Sequence, residues 1–237
     1  MTSLLLLGFV LGMRHAIEAD HVAAVASLAT RSPSVRHTVF QGAAWGMGHT
    51  LTLTLFGSVV LLLDSVMPER FASMLELAVG MMLIALGIDV LYRLHRKRVH
   101  FHSHRHGGDV VHFHAHSHPP EERHDPQHHQ HTHPSRFPLR ALLVGLMHGM
   151  AGSAALILLT LQHVRSVAEG MGYIALFGIG SIAGMAALSV VIAVPLRYSA
   201  RKLTWLHNGL QAGIGAATLA LGAHLVIDIA LIEGTIW

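Results

Sequence analysis

The stretch Arg14-His15-Ala16-Ile17-Glu18-Ala19-Asp20-His21 decides how this chain is read. Leu4-Leu-Leu-Leu7 and further apolar residues precede it, and Val22-Ala-Ala-Val-Ala-Ser-Leu-Ala29 follows it. Five ionisable side chains therefore sit within eight residues, inside an apolar run at 3–28. A run of roughly 20 such residues is long enough to cross a bilayer. Ionisable groups at membrane depth cost free energy, so they mark functional sites by default. Leu4–Leu7 has no basic residue before it, and charge rather than a small-residue cleavage site follows, so the run reads as a retained span and not a leader.

Five more apolar runs lie outward of this one, at about 39–63, 71–92, 138–162, 170–195 and 205–232. The chain of 237 residues is 52% hydrophobic and only 12% charged. Its mean hydropathy is +0.50. A soluble domain carries about 25% charged residues, so lipid is the solvent this composition suits. The expected fold is an all-α membrane protein of six transmembrane helices. With no cysteine, disulfides, thiolate metal sites and thiol nucleophiles are excluded.

Between the third and fourth runs, residues 93–137 change composition. The tract holds His95, His100, His102, His104, His106, His112, His114, His116, His118, His124, His128, His129, His131 and His133, broken by Pro119, Pro120, Pro126 and Pro134. It has few aliphatic residues to bury and reads as a disordered, metal-binding loop. Basic residues cluster in the odd loops, at Arg31 and Arg36, from Arg93 to Arg140, and at Arg197, Arg201 and Lys202. The even loops carry only Arg70 and Arg165. The positive-inside rule then puts the odd loops and the His-rich tract in the cytoplasm and both termini outside a cell (inner) membrane.

The two halves echo each other at offsets of roughly 132–135 residues. Gly12-Met-Arg-His15 answers to Gly145-Leu-Met-His148, and Trp45-Gly-Met-Gly-His49 to Phe177-Gly-Ile-Gly-Ser181. Leu75-Glu76, Gly80 and Gly87 answer to Leu210-Gln211, Gly215 and Gly222. Three spans per half force the second half to enter from the opposite side. The expected domains are a first three-helix repeat at 1–92, the His-rich loop at 93–137 and a second, inverted three-helix repeat at 138–237. Many secondary transporters are built this way.

On a regular helix His15, Glu18 and His21 fall within an arc of about 120°, with Arg14 inside the arc and able to neutralise Glu18. Asp20 points elsewhere. Either it holds a ligating imidazole in place, or the helix unwinds and brings it in. His49 and His148 lie in the second and fourth runs beside Gly46, Gly48, Gly145 and Gly149. The candidate metal ligands are thus His15, Glu18, Asp20, His21, His49 and His148. Imidazole suits nickel, cobalt, copper or zinc rather than magnesium or calcium, and the lack of thiolate argues against copper(I). Glu76 and Asp89 in the third run are candidate outer ligands, proton carriers or residues reaching for the interface.

Arg14-His15-Ala16-x-Glu18-Ala19-Asp20-His21 resembles the signature helix of the nickel/cobalt transporter (NiCoT) superfamily, with Glu18 where that signature has aspartate. Gly48-His49-Thr50 resembles its second motif. The six runs, rather than eight, and His148-Gly-Met-Ala-Gly-Ser153 in place of a later acidic motif are closest to the smaller urease accessory protein H-like branch. The His-rich loop resembles the nickel/cobalt efflux branch. The resemblance implies metal recognition by His15, Asp20, His21 and His49.

The expected function is transmembrane passage of a divalent transition metal, nickel or cobalt, by a secondary permease, with uptake slightly favoured. No Gly-rich phosphate loop with lysine is present. The alternatives are a nickel/cobalt efflux permease and a non-transporting membrane metal sensor or chaperone. No enzymatic activity is expected: the His-Glu-x-x-His arrangement of metalloproteases is absent. No cofactor is expected beyond the metal as substrate. The expected partners are divalent metal ions and the lipid bilayer, with cytoplasmic metallochaperones as candidates and no nucleic acid.

Overall fold

The computed structural model describes residues 2–63, 69–96, 99–105, 111–117, 138–149 and 166–232. Its helices are α1 (Thr2–His15), α2 (Ala19–Ala29), α3 (Val35–Leu63), α4 (Glu69–Arg96), α5 (Leu139–His148), α6 (Val167–Lys202) and α7 (Thr204–Ile232). Local chemistry sets several boundaries. Ser34 Oγ accepts a hydrogen bond from the His37 N–H at 3.0 Å at the head of α3. Ser166 Oγ accepts one from Glu169 N–H at 3.3 Å at the head of α6. Both satisfy helix donors that lack an intrahelical acceptor.

Arg70–Arg96, Val167–Ala200 and Thr204–Leu231 are each long and apolar enough to cross a membrane. Leu5–His15, Ala19–Ala29 and Leu139–His148 are shorter apolar helices. The outer surface is apolar as well: Leu55, Leu62, Met74, Val191 and Leu231 are all exposed. Apolar patches of that extent mark a surface that meets lipid or another protein.

The chain packs α3 along α6, α4 along α7, α1 along α6 and α5 along α3, with α2 wedged against α6 and α7. Small residues set these contacts. A Cβ at Gly80 would lie 3.2 Å from the Gly222 carbonyl, and one at Gly87 would lie 2.8 Å from the Gly215 carbonyl. The order of these contacts makes α4 and α7 antiparallel. Gly12 lies against the Phe177 carbonyl and Gly145 against the Trp45 carbonyl, both too close for any side chain. Small residues permit such backbone approach where no water-driven term holds helices together.

The structure departs from the sequence expectation in three places. The first apolar run is not one helix: α1 stops at His15 and α2 begins at Ala19. The helix of the third run, α4, continues to Arg96, and the helix of the fifth run, α6, runs through Pro195 to Lys202. The tract expected to be disordered contains two paired strands, β1 (Val99–Arg105) and β2 (Val111–Ser117). Their antiparallel register sets His100 opposite His116, His102 opposite His114 and His104 opposite His112. The cause is legible in retrospect: histidine alternates with Val99, Phe101, Val111 and Phe113, a period of two with strand-favouring residues. The six register positions share one face of the ladder. The rest of the tract, and residues 150–162 of the fourth run, lie outside the described residues.

Asp89 is in neither group of possible metal-ligand atoms among the described residues. It pairs with Arg31, with Arg93 Nη2 at 3.2 Å and with Arg140 Nη2 at 3.6 Å. Arg93 Nη2 also donates to Thr30 Oγ1 at 3.0 Å. One carboxylate thus ties together α4, the head of α5 and the turn after α2. Asp89→Ala is expected to cost about 1 kcal/mol, the upper range for a half-exposed pair strengthened by a network. The loss in thermal midpoint should shrink as salt rises; a salt-independent loss would exclude an electrostatic tie.

Candidate metal centre

The break between α1 and α2 builds the centre. Two turn hydrogen bonds close α1, Ile17 N–H to Arg14 O at 3.0 Å and Glu18 N–H to His15 O at 3.1 Å. Glu18 is then extended (φ −64°, ψ 148°) and starts α2. The helix is interrupted over three residues, so the regular-helix arc no longer applies. Asp20, which a continuous helix would turn away, lies in the first turn of α2 among the histidines. Both readings offered for it hold together: the helix unwinds, and Asp20 grips imidazoles.

Its two oxygens divide the work. Asp20 Oδ1 lies 2.9 Å from His21 Nδ1, and Asp20 Oδ2 lies 2.8 Å from His148 Nε2. Oδ1 also accepts the His21 backbone N–H at 2.9 Å. A carboxylate only accepts, so both imidazoles donate to it. Their other nitrogens, His21 Nε2 and His148 Nδ1, keep lone pairs, and both are buried with no hydrogen-bond partner.

His15 ends α1, Asp20 and His21 begin α2, His49 comes from the middle of α3 and His148 from the end of α5, so four helices converge. The ring centroids of His15 and His21 are 4.2 Å apart, those of His21 and His148 4.3 Å, and those of His15 and His49 5.0 Å. His15 Nε2 and His49 Nε2 are 3.1 Å apart. All four histidines are at most 2% exposed. Two sets of possible ligand atoms, His15/His21/His49 and Asp20/His21/His148, each fall within 4.8 Å of one another. His21 belongs to both. For metal–nitrogen bonds of about 2.0–2.1 Å, two nitrogens on one ion stand roughly 2.9–3.4 Å apart between square and tetrahedral angles. The His15–His49 spacing falls in that interval.

Glu18 stands at the margin. Its Oε1 is 2.8 Å from His15 Nδ1, close enough for an ion pair although not aligned as a hydrogen bond, and the side chain is 44% exposed. Glu18 therefore faces His15 and not Arg14. Glu76 is in neither ligand set among the described residues.

Sequence reading missed Trp45. Its fully buried ring packs 5.4 Å from the His21 ring and 5.5 Å from the His148 ring. The available signal was its place one helical turn before His49 in Trp45-Gly-Met-Gly-His49.

Helices of this length and apolarity, wrapped around a buried histidine–carboxylate centre, define a helical membrane-type protein with a metal-ligand composition at its core. Along its length the chain is 34% identical, over 234 residues, to the "Urease accessory protein UreH" of Bacillus sp. (strain TB-90), covering 99% of this chain and 95% of that protein. It belongs to the family of that urease accessory protein. No family profile and no solved structure matches the chain.

Proposed function

We propose that this chain is a secondary permease for a divalent transition metal, nickel first and cobalt second, with His15, His21, His49 and His148 as the ligands. Asp20 orients His21 and His148, and Glu18 flanks His15. The observation that carries the reading is four buried imidazoles in mutual contact, two of them leaving unpartnered nitrogens beside a carboxylate that fixes their orientation. Buried polar atoms without partners are rare, and a cation that comes and goes accounts for them. The relative is named an accessory protein of urease, an enzyme that works with nickel, which favours nickel and a non-catalytic role. Kinship reaching the wider NiCoT superfamily is part of the proposal.

Six spans arranged as two inverted repeats, at 1–92 and 138–237, fit the packing. Exchanging the halves turns the Gly12–Phe177 contact into Gly145–Trp45, and Gly80–Gly222 into Gly215–Gly87. It likewise turns Gly46–Ile182 into Gly178–Thr50. Contacts that map onto each other under such an exchange support a two-fold relation between halves. The localisation proposed is the cell membrane, multi-pass, with both termini outside and the 93–137 tract cytoplasmic, where it collects metal and hands it to metallochaperones. Uptake is favoured over efflux because the tract then lies downstream of the site.

The test removes residues 99–134, so that metal bound by the tract does not mask the core. In liposomes the shortened protein should carry saturable nickel flux. The His15→Ala, His21→Ala double variant should not. Nickel bound by the full chain but no flux from either protein would move the function to a membrane-anchored sensor or buffer.

A further inference from the structure

From the permease reading of the histidine centre we infer the route by which the ion leaves it: the seam between α3 and α6, closed in this state by Trp45, Gln41 and Ser189. The seam joins two spaces. At one end is a cavity of about 300 Å³ lined by the Thr30–Pro33 turn after α2, by Thr38 of α3, by Arg197 of α6 and by Gln211 of α7. These belong to the first and fifth loops and their flanking turns, the basic face of the molecule. At the other end are His21 and His148, in contact with the Trp45 ring.

Between them lies a constriction with no room for a water molecule, lined by Val25, Leu28, Thr38, Gln41, Trp45 and Ser189. Thr38 lines both the cavity and the constriction. On α3 the residues Thr38, Gln41, Trp45 and His49 follow at spacings of three, four and four, which is one face of a helix. That face runs about 16 Å from the cavity to the metal centre, at 1.5 Å per residue. Ser181, Met185 and Ser189 follow on α6 at spacings of four and are fully buried. The next turns of α6 bring Ala193 and Arg197 to the cavity wall.

The seam is dry, yet it is not apolar. Gln41 Oε1, Trp45 Nε1 and Ser181 Oγ are buried without a hydrogen-bond partner among the described residues. A permanently closed helix contact gains nothing from three orphaned polar atoms, each of which costs free energy. They find partners when the seam parts and fills with water and a hydrated ion. At the mouth Arg31 is paired with Asp89, while the Arg197 charge disfavours a resting cation there. Among the described residues the histidine centre is then the stop, and the cavity a vestibule.

The chain has no cysteine, so single thiols report without background. Thr38→Cys, Gln41→Cys and Ser189→Cys would be made in the full-length protein, reconstituted, and treated with a membrane-impermeant thiol reagent from each face. Each variant must carry nickel to be scored, with the unsubstituted protein measured alongside. The thiol at 38, buried where the cavity meets the constriction, should react from the basic face only. Those at 41 and 189 should react from that face only, and several-fold faster or slower when nickel is added. Thiols at 41 and 189 that stay inert in protein carrying nickel, or that react from the opposite face, would overturn the route while leaving the permease intact. Absence of nickel flux in the unsubstituted protein would instead overturn the permease reading, and the route with it.

Discussion

His21→Ala is expected to abolish nickel flux and to weaken nickel binding at the core by more than the about 10–100-fold that losing an orienting partner of a ligand costs. The reason is position. His21 is the one imidazole common to both sets of ligand atoms, so its removal leaves His15 and His49 on one side and His148 with Asp20 on the other. Asp20→Asn is the graded contrast. It keeps the shape but replaces one acceptor oxygen with a donor NH₂, so one of the two imidazoles must turn over or lose its bond. Its loss should fall within that 10–100-fold window. Calorimetry on protein lacking residues 99–134 reads both. Equal losses in the two variants would make Asp20 a direct ligand; wild-type affinity in His21→Ala would remove the centre from the histidines altogether.

How much of this was readable beforehand depends on the kind of signal. The six candidate residues were found because ionisable groups are rare in apolar runs, and four histidines and Asp20 do converge. Their geometry was not readable. The arc built on a continuous helix gave Glu18 a central place and left Asp20 undecided. A three-residue break reverses those weights: Glu18 goes to the margin and Asp20 to the middle. Nothing in Ala16-Ile17-Glu18 is a helix breaker such as Gly or Pro, so local propensity could not disclose the break. At the break Ala16 is fully buried and packs so close to Gly184 that a Cβ added there would lie 2.8 Å from the Ala16 methyl. In the tract the opposite holds. The alternation of histidine with Val and Phe is a strand signal in the sequence, carried within a tract whose overall composition is that of a disordered loop. For Asp89 the sequence leaves an outer ligand, a proton carrier and an interface residue open, because a span-edge carboxylate looks the same in sequence whether it meets a metal or three arginines.

The second large effect concerns the scaffold. Gly145→Val is expected to prevent stable folding, and Gly145→Ala to destabilise by about 1–3 kcal/mol or more. A Cβ at Gly145 would collide with the Trp45 carbonyl and with the Trp45 ring. A backbone carbonyl in the middle of α3 cannot swing aside as a side chain can. Trp45 in turn touches His21 and His148, so any outward shift of α3 is carried directly into the histidine cluster. Gly12→Ala should behave alike, since its Cβ would collide with the Phe177 carbonyl. Gly209 and Gly213 provide the controls: a Cβ at either meets nothing within 4 Å. Alanine there should be neutral or stabilising by about 0.5–1 kcal/mol, because alanine forms helix better than glycine. Thermal midpoints of the four alanine variants in one detergent decide it. The expected pattern is two losses, at 12 and 145, against two small gains, at 209 and 213. Gly145→Ala as stable as the parent would mean that α5 and α3 do not approach this closely, and the support that Trp45 gives the histidine centre would fall with that contact.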